Sequence, residues 1–191
     1  MSHIYVYMKE PAVTVLGRGV RYVLWVQGCH RRCSGCVAAN AYHMEEGKKI
    51  STGALAMEIA LSKAQGLTIS GGEPFLQAEA LAEMLEKLKD IREMGVIIYT
   101  GYTYEALQEL PGAKRLLEMT DLLIDGEYVA ELDDGRSLRG SSNQRVIALT
   151  DRYVNNLSEY GVEGRDNETF THGWEIHKIG IPKKDEKENR V

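Results

Sequence analysis

Long apolar runs are absent from this chain. No stretch approaches the ~18 uninterrupted apolar residues of a membrane span. The opening segment, MSHIYVYMKEPAVTV, has no basic region leading into an apolar one, so it does not read as a signal peptide. Clusters of one charge sign are absent too. The formal net charge is -5, with Lys and Arg scattered among Asp and Glu, which argues against a nucleic-acid partner. Internal repeats and low-complexity segments are also missing. These absences predict a cytoplasmic protein with neither membrane nor nucleic acid as partner.

Cysteine is scarce: only Cys29, Cys33 and Cys36 occur, all within one short segment. An odd number so closely spaced is a poor disulfide framework. Three unrelated cysteines would rarely fall together by chance, so they belong to one site. What is present is ordinary, with 43% hydrophobic and 27% charged residues in a chain of 191. That length suits about one domain, able to bury roughly 70% of its unfolded surface. The tail KKDEKENRV is mixed in sign with little to bury, and is expected to be solvated and partly disordered.

Strand-like and helix-like segments alternate along the chain. VRYVLWVQ (20–27) is β-branched and aromatic and runs into Gly28 and the cysteines. STGALAMEIALSKA (51–64) has Ser51 or Thr52 as a cap and Leu55, Ile59 and Ala60 on one face. GLTIS (66–70) is a short strand stopping at Gly71-Gly72-Glu73-Pro74. Leu81, Met84, Leu85, Leu88 and Ile91 form a helical stripe ended by Gly95, followed by the strand VIIYT (96–100). TYEALQEL and AKRLLEMT add one or two helices, DLLID (121–125) a strand ending at Gly126, and RGSSNQRVIAL (139–149) a further strand. Alternation of this kind implies an α/β fold with a parallel sheet and helical crossovers. At roughly 25 residues per unit, residues 1–150 make about six, short of the ~250 residues of a closed eightfold barrel. The expectation is an incomplete parallel β/α barrel, its ligands at the carboxyl ends of the strands. Residues 151–191 read as a short C-terminal extension, a hairpin or edge strand at WEIHKIGIP plus the tail.

The cysteines fall in Gly28-Cys29-His30-Arg31-Arg32-Cys33-Ser34-Gly35-Cys36, with spacing C-x3-C-x2-C. Thiolates are the usual ligands of iron–sulfur clusters. Small residues (Gly28, Ser34, Gly35) let the backbone approach a cluster and aim N–H groups at its sulfides. Three cysteines leave a fourth iron of a [4Fe–4S] cluster without a protein ligand, and an open metal position means chemistry. Two other readings stand beside this one. Structural zinc would need a fourth ligand, with His30 or His43 as candidates; redox-active or buried thiols need none. His43, His172 and His177 are isolated and read as surface or packing residues.

GCHRRCSGC, LTISGGEPF, YTGYTYEAL, LLIDGEYV and RGSSNQRVI occur in an order and spacing that resembles the radical S-adenosylmethionine superfamily. Within it they resemble the glycyl-radical-enzyme activases that serve anaerobic ribonucleotide reductase. The resemblance covers roughly residues 15–150. It implies a [4Fe–4S] cluster held by Cys29, Cys33 and Cys36, and S-adenosylmethionine bound at the fourth iron. It implies that Gly35 and Val37 line the adenosyl group, and that Gly71, Gly72 and Glu73 contact the methionine amine. Asp125 would bind the ribose hydroxyls, and Asn143, with Gln144 and Arg145, the cofactor or the partner's radical loop. For GGEP and Asp125 a plain turn remains the alternative. The implied partners are a glycyl-radical enzyme and a flavodoxin- or ferredoxin-type electron donor. A radical enzyme acting directly on a small molecule or peptide, and a non-enzymatic electron-transfer module, are the rival functions.

Overall fold

The computed structural model describes residues 2–136, 138–160 and 164–182. The tail 183–191, expected above to be solvated, lies outside the described residues.

Seven strands form one sheet in the order β3-β1-β2-β4-β5-β6-β7. They are β1 (His3–Val13), β2 (Arg21–Val26), β3 (Lys48–Ser51), β4 (Gly66–Gly71), β5 (Gly95–Tyr99), β6 (Leu122–Asp125) and β7 (Arg145–Ala148). β2, β4, β5 and β6 run parallel, whereas β1, β3 and β7 are antiparallel to their neighbours. The fold is therefore mixed α/β around a largely parallel centre. It corrects the expected count of about six β/α units. Four strands are parallel, because the link from β6 to β7 carries no α-helix to cross the sheet and the chain simply turns back. Strand β1 escapes the sequence pattern because register shifts between Val6 and Met8, and between Glu10 and Val13, interrupt its period of two.

Helices α1 (Thr52–Leu61), α2 (Ala78–Ile91), α3 (Tyr104–Glu109) and α4 (Ala113–Leu117) pack on one face. Ser51 caps α1 by accepting from the Ala54 N–H at 3.3 Å. In α2, Leu81, Met84, Leu85 and Leu88 are buried against Tyr22, Leu24, Leu67 and Ile69 of the sheet. Ile91, the last residue of that stripe, is half exposed. Among the described residues no helix is long and apolar enough to cross a membrane.

The other face of the sheet carries the intervening residues, including Val23, Trp25, Ile97, Tyr99, Leu122 and Ile124. It is covered by the later part of the chain. Tyr153 packs on Ile97, Leu122 and Ile124, and its hydroxyl accepts from the buried Arg21 guanidinium at 3.0 Å. A hairpin of β8 (Asn167–His172) and β9 (Glu175–Gly180) places Phe170 and Ile179 with Val13, Leu16 and Val23. Arg165 is buried, paired with Asp133 at 2.8 Å, and donates to the carbonyls of Arg136, Arg139, Gly140 and Pro182. That spread of partners ties the loop after β6 to the end of the hairpin.

Candidate functional site

The four parallel strands end side by side, each opening into one of the loops singled out above. β2 leads into the cysteines, β4 into Gly72-Glu73-Pro74, β5 into Thr100-Gly101-Tyr102, and β6 into Gly126-Glu127-Tyr128. Together with β9 they enclose a cavity of about 490 Å³. Sites for small molecules fall in this size range.

The cysteine loop is held by backbone on both sides. The Gly28 and Cys29 N–H groups donate to the carbonyls of Ala41 and Tyr42 at 2.7 and 3.0 Å. The Gly72 and Glu73 N–H groups donate to Val26 and Gly28 at 2.8 and 2.7 Å. Arg32 takes a left-handed φ of 57°, and its guanidinium lies 4.4 Å from the centre of the Tyr42 ring. The Tyr42 hydroxyl in turn donates to the Cys33 carbonyl at 3.4 Å. All three thiols are partly exposed, and all three border the cavity.

Burial pushes the Cys29 thiol up, and burial with the neighbouring Glu127 carboxylate pushes Cys33 up to about 11. The Cys33 thiol donates to Glu127 at 3.4 Å. Ligation needs thiolates, so these groups require a strong cationic centre to release their protons. Among the described residues no three His, Cys, Asp or Glu side chains are grouped to hold a single ion. His43 sits 3.9 Å from Glu45, and His30 3.4 Å from the Tyr102 hydroxyl; neither completes a zinc site. Three cysteines bordering one cavity are a donor set that would suit an iron–sulfur cluster.

Glu73 is buried, and its carboxylate braces the second and third loops. It accepts from Phe75 N–H at 3.1 Å, the Thr100 hydroxyl at 2.8 Å and Gly101 N–H at 2.8 Å. Burial raises its pKa against the pull of those donors. Gly71 and Gly72 both border the cavity, and a Cβ on either would meet backbone of Val26 or Gly28 at 2.5 Å or less. Only glycine lets β4 end so close to the cysteine loop.

The remaining residues named from the sequence divide. Val37 borders the cavity. Gly35, at φ 71°, faces Tyr128 and Ala130 and is not among the lining residues. Asp125 does not line the cavity either, because alternation along β6 sends Ile124 to that face and Asp125 to the helices. Its carboxylate accepts from the Tyr104 N–H at 2.7 Å and from Arg145, whose Nε lies 3.0 Å away. Asn143 is exposed and donates to the Glu127 carbonyl at 2.8 Å; its neighbour Gln144 is the one that lines the cavity. Gln144 donates to the Gly126 carbonyl and accepts from the Gly140 N–H, at 2.8 and 2.7 Å.

Arg31 was passed over in the sequence. Its guanidinium stacks 4.2 Å from the Tyr102 ring centre, in space that a side chain at Gly101 would fill. It faces Glu127 at 3.5 Å and Glu73 at 3.8 Å, both too long for a good hydrogen bond. Its Nε is buried without a hydrogen-bond partner among the described residues. Its place between Cys29 and Cys33 is legible in the sequence; its neighbours Glu73 and Glu127 and its orphaned donor are not.

The model of the 4Fe-4S single cluster domain family matches residues 15–147. The chain is similar to the anaerobic ribonucleoside-triphosphate reductase-activating protein of Enterobacteria phage T4, at 32% identity over 147 residues, 74% of this chain and 92% of that relative. The protein of the same name from Escherichia coli (strain K12) is 32% identical over 153 residues, 73% of this chain and 95% of its own. The pyruvate formate-lyase-activating enzyme of Clostridium pasteurianum is 34% identical over 126 residues, 62% of this chain and 50% of its own.

Proposed function

The chain belongs to the 4Fe–4S single cluster domain family and to its radical S-adenosylmethionine activases, and we propose that it installs a glycyl radical on an anaerobic ribonucleoside-triphosphate reductase. The observation that carries this reading is the meeting of three thiols and the GGEP turn at one cavity. When bound, the cluster would supply one electron for reductive cleavage of the S-adenosylmethionine sulfonium. The protein's part is to bind, orient and exclude water.

Cys29, Cys33 and Cys36 would hold the cluster. The backbone of Gly71 and Gly72 and the spare lone pair of Glu73 would accept from the methionine amine. Arg31 would offer its unspent donor to the methionine carboxylate. Val37 would pack on the adenosyl group. Asp125 and Asn143 would act at one remove, by fixing Arg145 and the Glu127 loop. Residues 1–150 carry this chemistry in our reading, as a partial barrel whose inner face is closed by Tyr153, Phe170 and Ile179. The three cysteines of this sequence all lie at one site, and in our reading a flavodoxin- or ferredoxin-type donor in the cytoplasm supplies the electron.

The test is anaerobic reconstitution with iron and sulfide, reduction, and mixing with S-adenosylmethionine and the reductase. A glycyl-radical doublet in electron paramagnetic resonance, with one 5′-deoxyadenosine per radical, is expected. If the reductase stays silent while a small metabolite is consumed in step with 5′-deoxyadenosine, the chain is a direct enzyme instead.

A further inference from the structure

The hairpin of β8 and β9 carries large apolar residues at its tip that are exposed among the described residues. Trp174, in the two-residue turn between His172 and Glu175, is 102% exposed, and Ile176 is 73% exposed. Along β9 the alternation is clear: Ile179 is buried against Val13, Leu16 and Val23, while Ile176 points the other way. Trp174 therefore contributes nothing to the core. An exposed large apolar patch is the informative exception on a protein surface, and tryptophan is prominent among residues that dominate interfaces.

The position of the patch says what it meets. Ile176 lines the rim of the cavity that holds the thiols, and Val37, 55% exposed on the cysteine loop, lines it too. The hairpin tip thus stands beside the opening of the site, with Ile176 at its rim and Trp174 two residues away in the turn. On the activase reading, on which this inference rests, the substrate atom is the Cα of a glycine in another polypeptide. Glycine has no side chain to grip, so affinity must come from surface around the opening. We propose that the β8–β9 tip, with Trp174 as anchor, is the docking surface for the glycine-bearing partner protein. It would seat Trp174 in an apolar pocket of that partner, beside the loop that enters the cavity.

The experiment titrates the reductase against the reconstituted, reduced full-length protein with S-adenosylmethionine. It compares wild type, Trp174→Ala and Trp174→Phe, reading the glycyl-radical doublet and, without reductase, 5′-deoxyadenosine release. Trp174→Ala should raise the half-saturating reductase concentration about 10-fold or more, as loss of a hot-spot residue does. Partner-free 5′-deoxyadenosine release should be unchanged, and Trp174→Phe should recover most of the affinity. An unchanged half-saturation in Trp174→Ala overturns the proposal. So does light scattering in which wild type self-associates and the variant does not, since the occupant is then a second copy. If wild type cleaves S-adenosylmethionine but gives no doublet, the activase reading itself falls and this inference with it.

Discussion

The carbonyl oxygen of Gly28 lies 2.2 Å from the point where a Cβ on Gly72 would stand. Two loops distant in sequence are pressed backbone to backbone, and the Glu73 N–H donates to the same carbonyl. The motif alone reads Gly72 as an approach point for the methionine, so that a bulkier residue would spare the cluster. The packing says otherwise, because any side chain there pushes on the loop that carries Cys29.

Gly72→Ala should accordingly destabilise the protein by about 1–3 kcal/mol, the usual cost of overpacking. It should also lower iron and sulfide content after reconstitution. Gly53→Ala is the control, since nothing lies within 4 Å of its Cβ and the residue is in α1. That change should stabilise by up to ~1 kcal/mol. Urea midpoints and iron analysis on both variants check the pair.

Wild-type protein reconstituted with iron and sulfide should hold about four of each per chain, and oxygen should destroy the cluster. Replacing any one of Cys29, Cys33 or Cys36 with Ala should abolish stable loading and S-adenosylmethionine cleavage together. One stoichiometric zinc and no sulfide in the wild type would return the site to the zinc reading.

Much of the site was legible because chemistry and secondary structure coincide in these loops. The cysteine spacing, GGEP and the glycine after each strand are local signals, and parallel strands bring them together whatever the details. What local sequence could not carry was direction and partnership. Asp125 ends a strand beside the cavity, yet the period of two, applied from Ile124, turns it away. The return of β7 depends on a connection without an α-helix, which a unit length of residues cannot reveal. The closing of the inner face rests on contacts far apart in sequence, from Tyr153 to Ile97 and Leu122, and from Phe170 and Ile179 back to Val13, Leu16 and Val23.

Asp125→Ala should therefore act on stability before it acts on the cofactor. The carboxylate is buried and holds both the α3 N-terminus and Arg145. Its loss should cost about 2–3 kcal/mol, as for hydrogen bonds to a charged group. S-adenosylmethionine affinity, measured by calorimetry on cluster-loaded protein, should stay close to wild type. A large loss of affinity with little loss of stability would restore Asp125 to the cofactor.

Arg145 also bonds to Glu105, at 3.0 and 2.8 Å, and holds its carboxyl at about 2 instead of 4.5. A pKa lowered in the folded state stabilises above the ordinary value, and that contribution fades as pH falls through the folded value. The urea midpoint of wild type should exceed that of Glu105→Gln by a constant margin above pH 4.5. The margin should close between 4.5 and about 2. A margin independent of pH would show that the pair contributes packing alone.

Arg31 offers the sharpest test of how the cavity recognises its ligand. Among the described residues its Nε is buried without a hydrogen-bond partner, and the carboxylates of Glu127 and Glu73, at 3.5 and 3.8 Å, leave the fork only loosely paired. An unspent buried donor costs free energy, which a ligand carboxylate would recover. Arg31→Gln should weaken S-adenosylmethionine binding by about 1.5–3 kcal/mol, roughly 10- to 150-fold, with iron content unchanged. The decisive comparison uses the decarboxylated analogue of S-adenosylmethionine. Wild type should lose affinity when the carboxylate is removed, and Arg31→Gln should lose much less, because the partner of that carboxylate is already gone. If both proteins lose the same amount, Arg31 and the carboxylate do not meet. The guanidinium would then serve only to hold the Glu73 and Glu127 loops together over Tyr102.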